Sequence, residues 1–121
     1  MNASILFIDS DHAKIFKLNP EKMESSTLKK HESSHHASAD EKKDEHEKHF
    51  FTDVTSALVG TTELLIVGPG QAKNRFKAHL DTHHHQGLAQ AVIGVETVDH
   101  PTDPQIIAVG KKFFKSYDLF H

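Results

Sequence analysis

The sequence predicts an α/β domain in which an antiparallel meander of strands is followed by parallel strand–helix units, with about five strands and three helices in one mixed sheet. Three observations point there. The short apolar runs ASILFI (3–8) and HAKIFKL (12–18) face each other across a polar turn. The later runs ELLIV (63–67) and AVIGVETV (91–98) are separated by a segment of helical period. A chain of 121 residues suits one domain with a modest core.

Each element has its own warrant. Asp9, Ser10 and Asp11 are turn formers between two β-branched or aromatic runs, so 3–18 reads as a hairpin. Asn19-Pro20 breaks the chain, since proline restricts its predecessor and donates no backbone bond. A third strand follows around Ser26–His31. ESSHHASAD (32–40) has no apolar period and reads as a mobile, solvated, His-rich loop reaching to about residue 42. Helical spacing begins near Lys42: Phe50, Val54, Ala57 and Leu58 share one face, and Gly60 is a natural stop. ELLIV is too short and too continuous for an amphipathic helix and suits a strand buried on both faces. A helix then runs through Leu80, with Ala72, Phe76 and Leu80 stacked inward and Lys73, Arg75 and Lys77 outward.

AVIGVETV is the next strand. In the final helix Asp103 is the expected cap, Pro104 the first helical residue, and Ile106, Val109, Phe113 and Tyr117 the buried stripe. Gly110 within that stripe costs about 1 kcal/mol against alanine, which predicts close packing there or a break. Right-handed crossovers would bring 63–67 and 91–98 into one sheet with helices over its faces. That is the outline of a ribonuclease-H-like domain. The expectation is a single domain over 1–121 without an internal repeat.

Composition narrows the function classes. The absence of cysteine excludes a disulfide framework and a thiolate zinc site, and it suits a reducing cytoplasm. No basic region precedes the apolar start, so a signal peptide is not expected. LLIV falls far short of the roughly 20 apolar residues that span a bilayer, so no membrane association is expected. A formal charge of −3 is not that of a polycation. Twelve histidines could reverse its sign on mild acidification, although histidines of this kind are expected to be solvated surface residues without a sensing role.

Gly68-Pro69-Gly70-Gln71 occupies the corner where a strand becomes a helix, a place where α/β proteins bind anions. It is not a phosphate loop: no third glycine follows, and no Ser or Thr stands beside Lys73. The corner reads as a hinge, with weak anion binding by Gly68, Gly70 and Lys73 as the alternative. Two-metal hydrolysis needs carboxylates converging on adjacent strand ends. Asp9 is in place and Glu45 or Glu47 could join it, but Gly68 stands where a third acid is wanted. A small metal-dependent hydrolase or nuclease using Asp9, acids of the first helix and nearby histidines is the alternative function.

His46 and His49 are three apart, so on a helix they share a face and could capture Zn²⁺ or Ni²⁺. HEKH is one residue too close for H-E-x-x-H. His31, His35 and His36 precede them, and His83-His84-His85 follows the second helix. Adventitious capture is expected here, with no dedicated cofactor. Lys73, Arg75 and Lys77 on one helix, with Lys111, Lys112 and Lys115 on another, could form a cationic patch that tracks phosphates. Phe76 and Phe113 read as core, which leaves base stacking unsupported.

Taken together, ASILFIDSDHAKIFKL, the polar loop, a helix, ELLIVGPGQAKNRFKAHL and AVIGVETVDHP resemble the middle domain of archaeal and eukaryotic peptide-chain release factors and of Pelota-type ribosome rescue factors. The resemblance covers roughly residues 3–115. It is similar above all to stand-alone bacterial translational machinery proteins, a grouping that shades into host-attachment-type proteins. The resemblance implies the fold and an association with the ribosome or structured RNA. Release factors carry Gly-Gly-Gln in the long loop that enters the peptidyl-transferase centre. The corresponding HESSHHASADEKKDEHEKHFF has neither glycine nor glutamine, and Gln71 lies on a different turn. Peptide release is therefore not implied, nor are a codon-reading domain before this one and a partner-binding domain after it. A non-catalytic, cytoplasmic, ribosome- or RNA-associated protein is the expectation. Self-association through a sheet edge, giving a homo-oligomer, is a third reading.

Overall fold

The first two apolar runs form the expected hairpin, β1 (Ala3–Ile8) and β2 (His12–Leu18), in antiparallel register from Ala3↔Leu18 to Ile8↔Ala13. The structure, a computed structural model, describes residues 2–18, 23–30, 39–83 and 87–120. β3 (Glu24–Lys29) pairs antiparallel with β2, while β4 (Glu63–Gly68) lies parallel to β1 and β5 (Val92–Thr97) parallel to β4. The sheet order is β3-β2-β1-β4-β5. The two late aliphatic runs are thus neighbours in one mixed sheet, as the sequence predicts.

β4 is buried at every position, because helices cover it on both sides. One face carries Leu6, Ile8, Ile15, Leu64 and Ile66 against α1 (Ala39–Ala57), α2 (Ala72–His83) and α3 (Leu88–Ala91). The other carries Ile5, Phe7, Phe16, Leu65 and Val67 against α4 (Asp103–Phe120). The split follows strand parity, since successive side chains point to opposite faces. α1 presents Phe50, Phe51, Val54 and Leu58, and α2 presents Phe76 and Leu80. Phe51 and Phe76 meet edge-on with ring centroids 5.3 Å apart, a favoured aromatic arrangement. The turn after α1 closes as expected at Gly60, whose φ of 90° is the left-handed conformation that glycine adopts without penalty.

Four details depart from the sequence reading. The third strand lies two residues earlier than expected. α1 begins at Ala39, so residues 39–42 are helix rather than loop; the rest of the expected His-rich loop lies outside the described residues. Leu88–Ala91 is a helical turn before β5, giving four helices among the described residues. Its Leu88, Ala89 and Ala91 are good helix formers that pack on the core beneath α2.

Finally, Thr102, not Asp103, caps α4. The Thr102 N–H donates to Gln105 Oε1 at 2.8 Å, and the Gln105 N–H donates to Thr102 Oγ1 at 3.3 Å. This reciprocal capping box makes Asp103 the first helical residue and moves Pro104 one position inward. The most buried row of α4 is Ile106, Gly110 and Phe114. Val109, Phe113 and Tyr117 flank it, with Phe113 laid over Gly94 of β5. The close packing predicted at Gly110 is present, against Ile5 of β1.

Candidate nucleic-acid interface

Gly68 and Gly70 do different work in the strand-to-helix corner. A Cβ on Gly68 would lie 2.2 Å from the carbonyl oxygen of Ile8, so only glycine lets the ends of β4 and β1 approach this closely. The Gly68 carbonyl also accepts the Val98 N–H at 3.1 Å, tying in the end of β5. Gly70 has open space around its Cβ position. α2 starts without a hydroxyl or carboxylate cap: the Gln71 carbonyl accepts the N–H groups of Asn74 and Arg75, and its side-chain oxygen accepts Asn74 Nδ2. Lys73, expected to point outward, is buried, with its ammonium donating to the Gly70 carbonyl. The stem fills space beside Gly68, and the ammonium is turned in to the Gly70 carbonyl.

The remaining cations of α2 are also engaged. Arg75 Nε pairs with Glu47 of α1 at 2.9 Å, and Lys77 pairs with Asp81 one turn on at 2.6 Å. Both pairs are partly exposed, so they hold side-chain geometry more than they stabilise the fold.

α4 differs. Lys111, Lys112 and Lys115 are exposed, and no ion pair joins any of them to a carboxylate among the described side chains. Because α2 and α4 cover opposite faces of the sheet, the six cations do not form the single patch that their sequence suggests. The structure divides them into an engaged set on one face and, on the other, a set with no ion pair among the described side chains.

Asp9 is occupied with the hairpin turn. Its Oδ1 accepts the N–H groups of Asp11 and His12, each at 2.8 Å, and lies 3.2 Å from His12 Nδ1. This is the local backbone chemistry that aspartate performs in turns. Glu47 is held by Arg75, away from any metal-ligand role. His46 is half-buried and His49 exposed on α1, while His31, His35, His36, His84 and His85 lie outside the described residues. Among the described residues no three His, Asp or Glu side chains cluster closely enough to hold a metal ion. Among the described residues, the acids and histidines of the alternative hydrolase reading are not brought together.

At the amino ends of β1 and β4, a cleft of about 690 Å³ between the end of α1 and α3 is lined by Thr52, Thr55, Ser56, Thr61, Gly87 and Gln90 among others. Thr52, Thr55 and Ser56 donate their hydroxyl protons to α1 carbonyls. No charged side chain lines it among the described residues.

Two strand cations on the α4 side of the sheet escaped the sequence reading. Lys14 of β2 pairs with Asp103 at the start of α4 at 2.8 Å, and Lys29 of β3 is exposed. Period-2 alternation places His12 and Lys14 on one face of β2, but the strand order that makes this the α4 face is not written in local sequence.

No protein-family model matches the chain, and no curated protein matches it. Solved structures do. Pelota from Archaeoglobus fulgidus superposes with a TM-score of 0.67 at 20% identity, covering 92% of this chain and 31% of that one. Pelota from Thermoplasma acidophilum gives 0.62 at 20% identity, over 89% of this chain and 31% of that one. An archaeal translation termination factor, aRF1, gives 0.56 at 14% identity, over 98% of this chain and 40% of that one. At these identities the likeness is one of fold, consistent with the expected middle-domain architecture. The chain spans about a third of the length of the Pelota structures that it matches. No helix among the described residues is long and apolar enough to cross a membrane.

Proposed function

We propose that this chain is a non-catalytic protein of the translational machinery that associates with the ribosome or with structured RNA. One observation carries the reading: nearly the whole chain shares its fold with about a third of Pelota, and with part of an archaeal translation termination factor. Two features of the chain agree with it. The loop that would carry Gly-Gly-Gln has neither residue type in 31–51, so water activation by a loop glutamine has no side chain to perform it. α4 supplies exposed cations, which suit a polyanionic partner.

Co-sedimentation of untagged protein with purified ribosomes tests the proposal. The chain should pellet with ribosomes at about 50 mM salt and be released at several times that concentration, because phosphate contacts weaken steeply with salt. A chain that stays in the supernatant at low salt overturns it. In the same reading Zn²⁺ or Ni²⁺ captured by His46 and His49 is adventitious. A metal affinity that survives substitution of both histidines by alanine would remove that pair from account.

A further inference from the structure

We infer that RNA is met on one side of the sheet only, on a shelf where α4 stands beside β2 and the exposed edge strand β3, and that this shelf takes the sugar–phosphate backbone. The inference rests on the proposed function and deepens it by naming the surface and the chemistry of contact.

Strand register defines the shelf. Phe7 and Phe16 belong to the α4-side core, and the pairs Phe7↔Lys14, Lys14↔Thr27, Phe16↔Ser25 and His12↔Lys29 put their partners on that same face. α4 packs on β1 and β4, and at about 4.8 Å per strand β3 lies some two strands to its side. Ser25, Thr27 and Lys29 are accordingly exposed.

The hydrogen bond from Lys14 to Asp103 shows which flank of α4 faces these strands. Residues 103, 107 and 111 follow one another at helical spacing, so Lys111 lies on that flank. Lys112 and Lys115 project from the outer surface, with Lys115 about 6 Å along the axis from Lys111. Asp103, the acid that faces β2, is paired by Lys14, and Asp9 at the hairpin turn accepts the N–H groups of Asp11 and His12. Glu96 and Asp99 lie beyond the other flank, where Phe113 covers β5.

The chemistry favours phosphate over a protein partner. Protein interfaces draw their affinity from buried aromatic, arginine and aliphatic anchors. The exposed positions of α4 include Gln105, Ala108, Lys112, Lys115 and Ser116, which offer none. Lysines with nearby hydroxyls (Ser25, Thr27, Ser116) are what a backbone needs: point charges for phosphates and small donors for non-bridging and 2′ oxygens.

A fluorescein-labelled RNA hairpin, read by anisotropy, tests the shelf directly, with ribosome pelleting run in parallel on the same variants. Wild-type affinity should fall about 40-fold between 50 and 200 mM salt, the response for about three phosphate contacts. K111E/K112E/K115E should weaken hairpin binding at least about tenfold, and Lys29→Glu about threefold. R75E/K77E, on the opposite face, should stay within about twofold of wild type. Urea midpoints, and the milder K111Q/K112Q/K115Q, separate lost contact from lost fold.

Equal hairpin binding by the triple variant, or an equal loss in R75E/K77E, overturns the inference. Competition by poly-glutamate as strong as that by RNA also overturns it, reassigning the shelf to an acidic protein. If the triple variant pellets with ribosomes as well as wild type does, the shelf is refuted while the ribosome reading stands. Hairpin binding that depends on these lysines, in a chain that does not pellet with ribosomes, supports the shelf and refutes that reading.

Discussion

Gly110 of α4 lies so close to Ile5 of β1 that a Cβ at position 110 would sit 2.0 Å from Ile5 Cδ1 and 2.4 Å from its Cγ1. Ile5 has no exposed surface and nowhere to retreat. Two effects oppose each other in Gly110→Ala. Helix propensity gains about 1 kcal/mol, whereas overpacking a filled core costs about 1–3 kcal/mol. Overpacking wins, and urea unfolding should show a net loss of about 1 kcal/mol. Ile5→Val removes Cδ1 and should relieve part of the clash, so the double variant loses less than the sum of the two single losses. Strictly additive losses would show that this contact is not the cause.

The capping box at Thr102 gives a second, independent prediction. Thr102→Ala removes the acceptor for the Gln105 N–H and should cost about 1 kcal/mol of stability. Asp103→Ala should cost less than about 0.5 kcal/mol, because it breaks only the exposed pair with Lys14. A larger loss at Asp103 than at Thr102 would restore Asp103 as the cap.

The architecture was legible where local pattern and burial agree. ELLIV could only be a strand covered on both faces, and Phe50, Val54 and Leu58 could only face a core. What local pattern cannot convey is which sheet face a helix covers, because strand order decides it. The six cations therefore looked like one patch, although α2 and α4 lie on opposite faces. Thr102 was overlooked because Thr, Asp and Pro in succession offer two caps, and the glutamine three residues on selects between them. Lys73 was misread because amphipathic spacing assigns lysine outward, whereas a stem can lie in a crevice while its ammonium finds a carbonyl.

The two glycines of the corner should differ sharply on mutation. Gly68→Ala drives a methyl group into the Ile8 carbonyl oxygen, a backbone atom that cannot rotate away, and should cost about 2 kcal/mol or more. Gly70→Ala meets nothing within 4 Å and should fall within about 0.5 kcal/mol of wild type or gain slightly, since alanine restricts the unfolded chain. Paired urea melts decide this. Equal tolerance at both positions would mean that β1 and β4 do not approach as closely as described.

Lys73 sets the functional meaning of that corner. A cation in the first turn of a helix opposes the helix dipole, at a cost of about 0.3–1 kcal/mol. Its hydrogen bond to the Gly70 carbonyl is charge-assisted, and bonds to charged groups contribute about 1.5–3 kcal/mol. The bond outweighs the dipole, so Lys73→Met, which keeps the buried stem and removes the charge, should lower stability by about 1 kcal/mol. Because the ammonium is turned inward, the same variant should bind an RNA hairpin within about twofold of wild type. The alternative, an anion site at the start of α2, predicts the reverse: little change in the urea midpoint and a clear loss of binding. Measuring both quantities on one variant separates a lysine that holds the corner together from one that reaches for phosphate.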